Sequence, residues 1–260
     1  MNDGERLNQI WARVLEKLRE VVYEFKITQH ELHVAGDFLD RLGKAGVSRS
    51  LVNVALAMAS VDATARTPGG TRPNLQGPYY VPSPIRENGC ILARDPGTDA
   101  PRLTLTGLVT DAATGSPIAG AHLDFWQADH EGHYDHGGNH LRGVVISDAS
   151  GRYALRTVVP LYYSDHDDDP VGELFRAMGR HSRRAAHLHL KVRVAGKERL
   201  MTQLFIADTM YLDSDYVEGA VSEDLLLELH PVAAADGGAP AYSAHFDIAV
   251  SVADGSIEVK

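Results

Sequence analysis

From residue 66 the chain reads "RTPGGTRPNLQGPYYVPSPIRENG", a stretch so dense in proline and glycine that no helix can continue through it. It reads as a structured crossing segment, and it separates two regimes of hydrophobic period. Before it, Leu7, Ile10, Trp11, Val14, Leu15, Leu18, Val21, Val22 and Phe25 recur at the spacing of one face of a long amphipathic helix. Thr28 followed by Glu31 predicts a capping box opening a second helix through Leu32, Ala35, Phe38, Leu39 and Leu42, with Gly43 or Gly46 available to end it. Ser48 or Ser50 is placed to cap a third helix through "LVNVALAMASVDA", whose small residues would let another element approach closely.

Beyond the break the pattern shortens. "LTLTGLVTD", "AHLDFWQAD", "GVVISD", "YALRTVV", "HLHLKVRV", "LMTQLFIA" and "FDIAVSV" are alternating or β-branched runs separated by turn sequences such as "ATGSP", "DASG" and "AGKE". Most have no helix between them, which predicts an antiparallel β-sandwich rather than a parallel sheet. The exception is "PVGELFRAMGRH", a short helix just before residues 183–194. The expected fold is mixed and mainly β, with a helical dimerisation and linker region over 1–65 and a β-sandwich catalytic domain over 66–260. The helices offer more apolar surface than a thin layer on a sandwich covers, which predicts a homodimer through them.

A chain of 260 residues with 44% hydrophobic content can bury a substantial core. Its formal net charge of -10 leaves no broad cationic surface for phosphate backbones or anionic lipid, so neither nucleic acid nor membrane insertion is expected. No run approaches the roughly 20 apolar residues of a membrane span, and "MNDGERLNQIWARVL" lacks the order of a signal peptide, which points to the cytoplasm. Cys90 is the only cysteine, so a metal would have to be held by His, Tyr, Asp or Glu.

In "RRAAHLHLKVRV", His187 and His189 project from one face of a strand. Among 13 histidines such a pair arises readily by chance, and two satisfied core histidines are the plainer reading. Upstream, "GHYDHGGNH" supplies Tyr134 and "VVPLYYSD" supplies Tyr162 and Tyr163. A phenol ordinarily titrates near about 10, so only a strongly polarising ion such as Fe(III) readily binds it as phenolate near neutral pH. A pair of phenolates and a hydroxide would balance a trivalent ion, with neutral imidazoles completing the shell. Alternation allows only one of Tyr162 and Tyr163 to face such a site. His130, His133, His136 and His140 are irregularly spaced in a glycine-rich loop and read as solvated loop residues, and Trp126 reads as core.

The segments "LQGPYYVPSP", "PIAGAHLDFWQADHEGHYD", "LRGVVISDASGRYALRTVVP", "GELFRAMGRHSRRAAHLHLKV" and "MTQLFIADTMYLDSD" together resemble the intradiol ring-cleaving dioxygenases, in the catechol, chlorocatechol and hydroxyquinol 1,2-dioxygenase branch. The resemblance spans nearly the whole chain. It implies a non-haem enzyme with one Fe(III) per subunit, held by Tyr134, Tyr163, His187 and His189, that inserts O2 between adjacent hydroxyl-bearing carbons of a catechol-type ring. The product would be a cis,cis-muconate or a maleylacetate-type acid. It also assigns Arg184 and Gln203 to the reacting carbons, and Leu75, Pro78, Tyr79 and Arg184 to the substrate pocket. A homodimer through the N-terminal helices is implied as well, and a bound lipid in their groove is allowed.

There are departures from the family pattern. Tyr162 stands where the relatives often carry a small residue, and Ala185 stands where many have proline, which predicts a looser start to the strand. "YLDSDYV" looks more like the chlorocatechol and hydroxyquinol enzymes than the plain catechol ones. The small residues of "VALAMASVDA" predict room around the ring, and no motif-assigned cation remains to pair a ring carboxylate once Arg184 is committed. The expected substrate is therefore hydroxyquinol or a substituted catechol rather than protocatechuate. A zinc-dependent hydrolase on the same histidines and a non-enzymatic β-sandwich binding module are the alternatives.

Overall fold

The structure, a computed structural model, describes residues 3–233 and 238–253. Helix α1 (Asp3–Phe25) carries the long apolar stripe, followed by α2 (Gln29–Ala45) and α3 (Ser48–Thr64). The capping box forms: Thr28 Oγ1 accepts from the Glu31 amide at 3.2 Å, and the Glu31 carboxylate accepts from the Thr28 amide at 2.7 Å. Gly46, at φ 73, ends α2, while Gly43 lies inside it. The serine caps expected for α3 do not form. Val47 occupies the cap position without a side-chain bond, because its amide is used to close α2 on Leu42 O at 3.0 Å. Helix α4 (Pro170–Ala177) is the one expected inside the β region, capped by Asp169, whose Oδ1 accepts from the amides of Val171 at 2.8 Å and Gly172 at 3.1 Å.

The strands are β1 (Arg102–Asp111), β2 (His122–Gln127), β3 (Arg142–Ile146), β4 (Arg152–Val158), β5 (Tyr163–Ser164), β6 (Arg183–Arg184), β7 (His187–Val194), β8 (Lys197–Ile206), β9 (Leu226–Leu227), β10 (His230–Val232), β11 (Ala241–His245) and β12 (Ile248–Val250). One sheet has the order β3-β2-β7-β8-β9; the other runs β10-β11-β1-β12 with β4 also on β1; β5 and β6 form a separate ribbon. The antiparallel expectation fails in part, since β1 pairs in parallel with both β11 and β12, and β8 with β9. In one sheet β11 and β12 take successive stretches of β1, and in the other β9 runs alongside the end of β8. Gly107 sits at the junction, where an added Cβ would lie 1.8 Å from the Phe246 carbonyl oxygen.

Leu103 and Leu105 of β1, Leu155 of β4, Phe125 of β2 and Leu188 and Leu190 of β7 belong to one buried cluster, which joins the two sheets. Fully burying a side chain of this kind is worth about 1.5–3 kcal/mol. Leu42 of α2, Val54 and Met58 of α3 and Phe175 of α4 join the same cluster. Helix α1 buries nothing: Leu7, Trp11, Leu18 and Phe25 stand exposed along its stripe.

The other face of β7, carrying His187, His189 and Lys191, is also buried. The proline-rich segment crosses it, tied by Lys191 Nζ to Gln76 Oε1 at 2.6 Å, the Asn74 amide to Met201 O at 2.8 Å, and Thr202 Oγ1 to Arg72 O at 2.7 Å. Arg142 Nη1 donates to Tyr79 O at 2.6 Å and fixes the far end.

Gly107→Ala should destabilise the protein by more than about 2 kcal/mol, because the new methyl meets backbone that cannot give way. Gly36→Ala, on the open surface of α2 with nothing within 4 Å, should be neutral or stabilise by up to about 1 kcal/mol. Denaturant unfolding of both variants checks the contrast.

Candidate metal and substrate site

Cross-strand registers assemble the site. On β7, His189 lies opposite Trp126 of β2 and Gln203 of β8, and in the small ribbon Tyr163 lies opposite Arg184. The one-face expectation for the histidines holds: His187 Nε2 and His189 Nε2 are 3.2 Å apart, and Tyr134 Oη is 3.1 Å from His189 Nε2. The Tyr134 and Tyr163 rings meet edge to face at 5.3 Å. Tyr162 points elsewhere, packing edge-on against Tyr211 at 4.8 Å with the Arg183 guanidinium 5.4 Å from its ring. The structure thus gathers Tyr134, Tyr163, His187 and His189 and leaves Tyr162 out.

Burial sets the protonation states. It drives both imidazoles well below their ordinary pKa, reinforced by Arg184, so both are neutral. His187 Nδ1 lies 2.7 Å from Ala185 O, which can only accept, so Nδ1 carries the proton and the Nε2 lone pair faces the cluster. Burial pushes the Tyr134 phenol well above its ordinary range, and it raises Tyr163 to about 12 against the opposing pull of Arg184. Neutral nitrogens aimed at two buried phenols suit a cation that supplies the charge needed to ionise them. Tyr134, Tyr163, His187 and His189 are therefore residues that could hold a metal, buried where the other such group among the described residues, Asp129, Glu131 and His133, lies at the surface.

The histidines are held from behind. Trp126 stacks on His189 with the rings 2° from parallel and centroids 4.8 Å apart. Leu75 O, which faces His189 Nδ1 without a well-formed hydrogen bond, accepts from Gln203 Nε2 at 2.8 Å. Gly77, at φ 69, lets the crossing segment lie on the imidazole, since a Cβ there would sit 3.1 Å from His189 Cε1.

Arg184 is fully engaged on one side. Its Nε donates to both oxygens of Asp215, at 2.9 and 3.1 Å, and Nη2 donates to Gln203 Oε1 at 2.6 Å. Burial works against its charge, and Asp215 and the site phenols more than offset this, holding the guanidinium pKa above its ordinary value. Asp215 also accepts from the amides of Ala185 at 2.8 Å and Val217 at 2.9 Å. The looser start expected at Ala185 is thus corrected. A proline could not make that bond, and the alanine amide ties the strand to the carboxylate that holds Arg184.

Tyr163 and Arg184 open onto a cavity of about 410 Å³ whose wall includes Leu75, Pro78, Tyr79 and Tyr216. The sequence-predicted wall residues are all there. The reasoning about the small-residue helix is not upheld: α3 reaches the cavity through Arg49, Ser50 and Asn53 in its first turns rather than through residues 54–63. Arg49 is also a cation that the motifs did not reveal. A broader hollow of about 520 Å³ bordered by Arg86, Asn88 and Tyr153 contains none of these site residues.

The histidine-rich loop divides. His140 is buried, its Nδ1 accepting from the amides of Ala93 at 3.2 Å and Arg94 at 3.3 Å, and so departs from the solvated reading. His133 is exposed beside Asp129, and His136 is exposed with its ring edge on Tyr79 at 5.4 Å. Sequence reasoning missed Arg142, Asp165 and Asp215. Each acts through contacts made outside its own motif: "LRGVV", "VVPLYYSD" and "YLDSDYV" contain Arg142, Asp165 and Asp215 without marking their roles.

A cavity that reaches, through Tyr163, a buried cluster of phenols and neutral imidazoles is the arrangement of an enzyme that sets a small molecule beside a metal. The chain belongs to the intradiol dioxygenase family: the Dioxygenase family model matches residues 75–251. It is 35% identical over 248 residues to the hydroxyquinol 1,2-dioxygenase of Rhizobium sp. (strain MTP-10005), covering 88% of this chain and 81% of that one. It is 36% identical over 227 residues to the 6-chlorohydroxyquinol 1,2-dioxygenase of Cupriavidus pinatubonensis, covering 82% and 81%. The crystal structure of 3-chlorocatechol 1,2-dioxygenase from Rhodococcus opacus 1CP superposes with a TM-score of 0.86 at 28% identity, over 96% of this chain and 99% of that one. The resemblance read from the motifs is borne out, and the family implies a metal cofactor.

Asp215→Ala should destabilise by about 3–5 kcal/mol because it strands a buried guanidinium. Removing the exposed Arg180–Glu218 pair, 3.1 Å apart, should change stability by less than about 1 kcal/mol. Chemical denaturation of the two variants tests the difference.

Proposed function

We propose that this protein is a non-haem Fe(III) intradiol dioxygenase acting on catechol-type rings, with hydroxyquinol or a substituted catechol as substrate. The observation that carries this reading is the convergence of Tyr134, Tyr163, His187 and His189, with Tyr163 lining a cavity shared with Leu75, Pro78, Tyr79 and Arg184. The hydroxyquinol and chlorohydroxyquinol enzymes among its relatives support the substrate class. In this reading those four side chains hold one ferric ion per subunit, and residues 66–260 form a β-sandwich catalytic domain.

The ion would supply a Lewis acid and a template for the adjacent ring hydroxyls. Were the ion to hold Tyr163 as phenolate, its Oη would be the base able to accept a proton from a ring hydroxyl, since burial favours the neutral phenol once that oxygen is free. His187 keeps its Nε2 lone pair turned inward, fixed by Ala185 O, and the Trp126 ring fixes the plane of His189. Arg184, held at Nε and Nη2, has no protein partner at Nη1 among the described residues. That edge is free to stabilise negative charge developing on the ring, inside a desolvated wall where such an interaction is strongest. Gln203 positions Arg184 and the Leu75 carbonyl together.

Residues 1–65 act as the dimerisation region, with the exposed stripe of Leu7, Trp11, Leu18 and Phe25 covered by a second copy. No helix among the described residues is long and apolar enough to cross a membrane.

Turnover with isotopically labelled O2 tests the activity: both labelled atoms should appear in the ring-opened diacid, and a product without label would overturn the reading. Tyr134→Phe, His187→Ala and His189→Ala should each lose most of the bound iron, while Tyr162→Phe and His136→Ala should retain it, read by metal analysis. In sedimentation the protein should be a dimer, and replacing Trp11 and Leu18 by lysine should yield monomer.

A further inference from the structure

We infer that Asp165 is the specificity-determining residue of the cavity and selects rings that carry a hydroxyl substituent over rings carrying a methyl or halogen at the same place. The inference rests on the dioxygenase reading and adds the residue that chooses among its substrates. Asp165 lies in the cavity wall, two residues beyond Tyr163 and beside His166 and Tyr216. Asp165 is exposed, its carboxylate open to the cavity, and a bound ring that fills the cavity would cover it.

The carboxylate is half-satisfied. Tyr79 Oη donates to Oδ1, and Oδ2 has no donor among the described residues. Tyr79 also stacks on Tyr134, with centroids 4.1 Å apart, and meets the Tyr163 ring edge-on at 6.1 Å. One side chain therefore ties the free carboxylate oxygen to the place where the ring must lie. His166 cannot serve as the missing donor through Nδ1, which lies 2.5 Å from Asp169 Oδ2.

A ring hydroxyl supplies the donor that Oδ2 lacks. A methyl or chlorine of similar size would exclude water and supply nothing, leaving the oxygen covered and unpaired in the complex, the arrangement that discriminates most strongly against an analogue.

The test compares kcat/KM for hydroxyquinol with that for 4-methylcatechol in the iron-loaded enzyme. Reading the ratio within each protein cancels any general loss of activity. The wild type should favour hydroxyquinol, and Asp165→Leu should lower that ratio by about tenfold or more, with iron content retained. Asp165→Asn keeps the shape and one acceptor oxygen, and it should lower the ratio by about threefold or more. A ratio within about twofold of wild type in whichever variant folds would overturn the inference and leave the dioxygenase reading standing. Failure of the iron-loaded wild type to cleave either ring would overturn both.

Discussion

His187 and His189 stand on the face of β7 that would meet solvent if the strand were covered on one side only, and residues 74–80 lie across that face instead. Leu188, Leu190 and Val192 fill the opposite side in the core between the sheets. This burial on both faces is what the rest of the site depends on. It removes water from the imidazoles, holds them neutral, and keeps Tyr134 and Tyr163 as phenols until a cation pairs with them. The same crossing segment supplies Leu75, Pro78 and Tyr79, so the element that dries the histidines also builds the cavity wall.

A permanent positive charge in such a place needs its own support. Asp215 meets Arg184 through two contacts and collects the amides of Ala185 and Val217, while Gln203 joins the guanidinium to the crossing segment. This network couples the start of β7, the loop at residue 215 and the cavity wall. The charge is thereby presented to the cavity without drifting toward solvent, the preorganisation that makes an electrostatic contact useful in catalysis.

Local signals were legible. The period of α1, the capping box at Thr28 and Glu31, the short α4 and the one-sided pair on β7 all come from neighbours within a few residues. The parallel partners of β1 were not legible, because β11 and β12 reach it from more than a hundred residues away and nothing in their short runs marks direction. The choice of Tyr163 over Tyr162 came from family resemblance. Alternation could say only that one of them faces inward. No local signal marks Asp165 or Asp215, since their partners Tyr79 and Arg184 lie 86 and 31 residues distant. Ala185 taught the reverse lesson. Its departure from proline suggested looseness, yet its amide became a ligand for Asp215.

The central claim is that two buried phenols and two neutral imidazoles hold a ferric ion. The most direct measurement is the visible absorption spectrum of the purified protein together with its iron content. Tyrosinate-to-Fe(III) charge transfer should make the protein red, with one iron bound per chain. A colourless protein that takes up no iron on loading, or that binds zinc with no visible band and is active with it, would contradict the account.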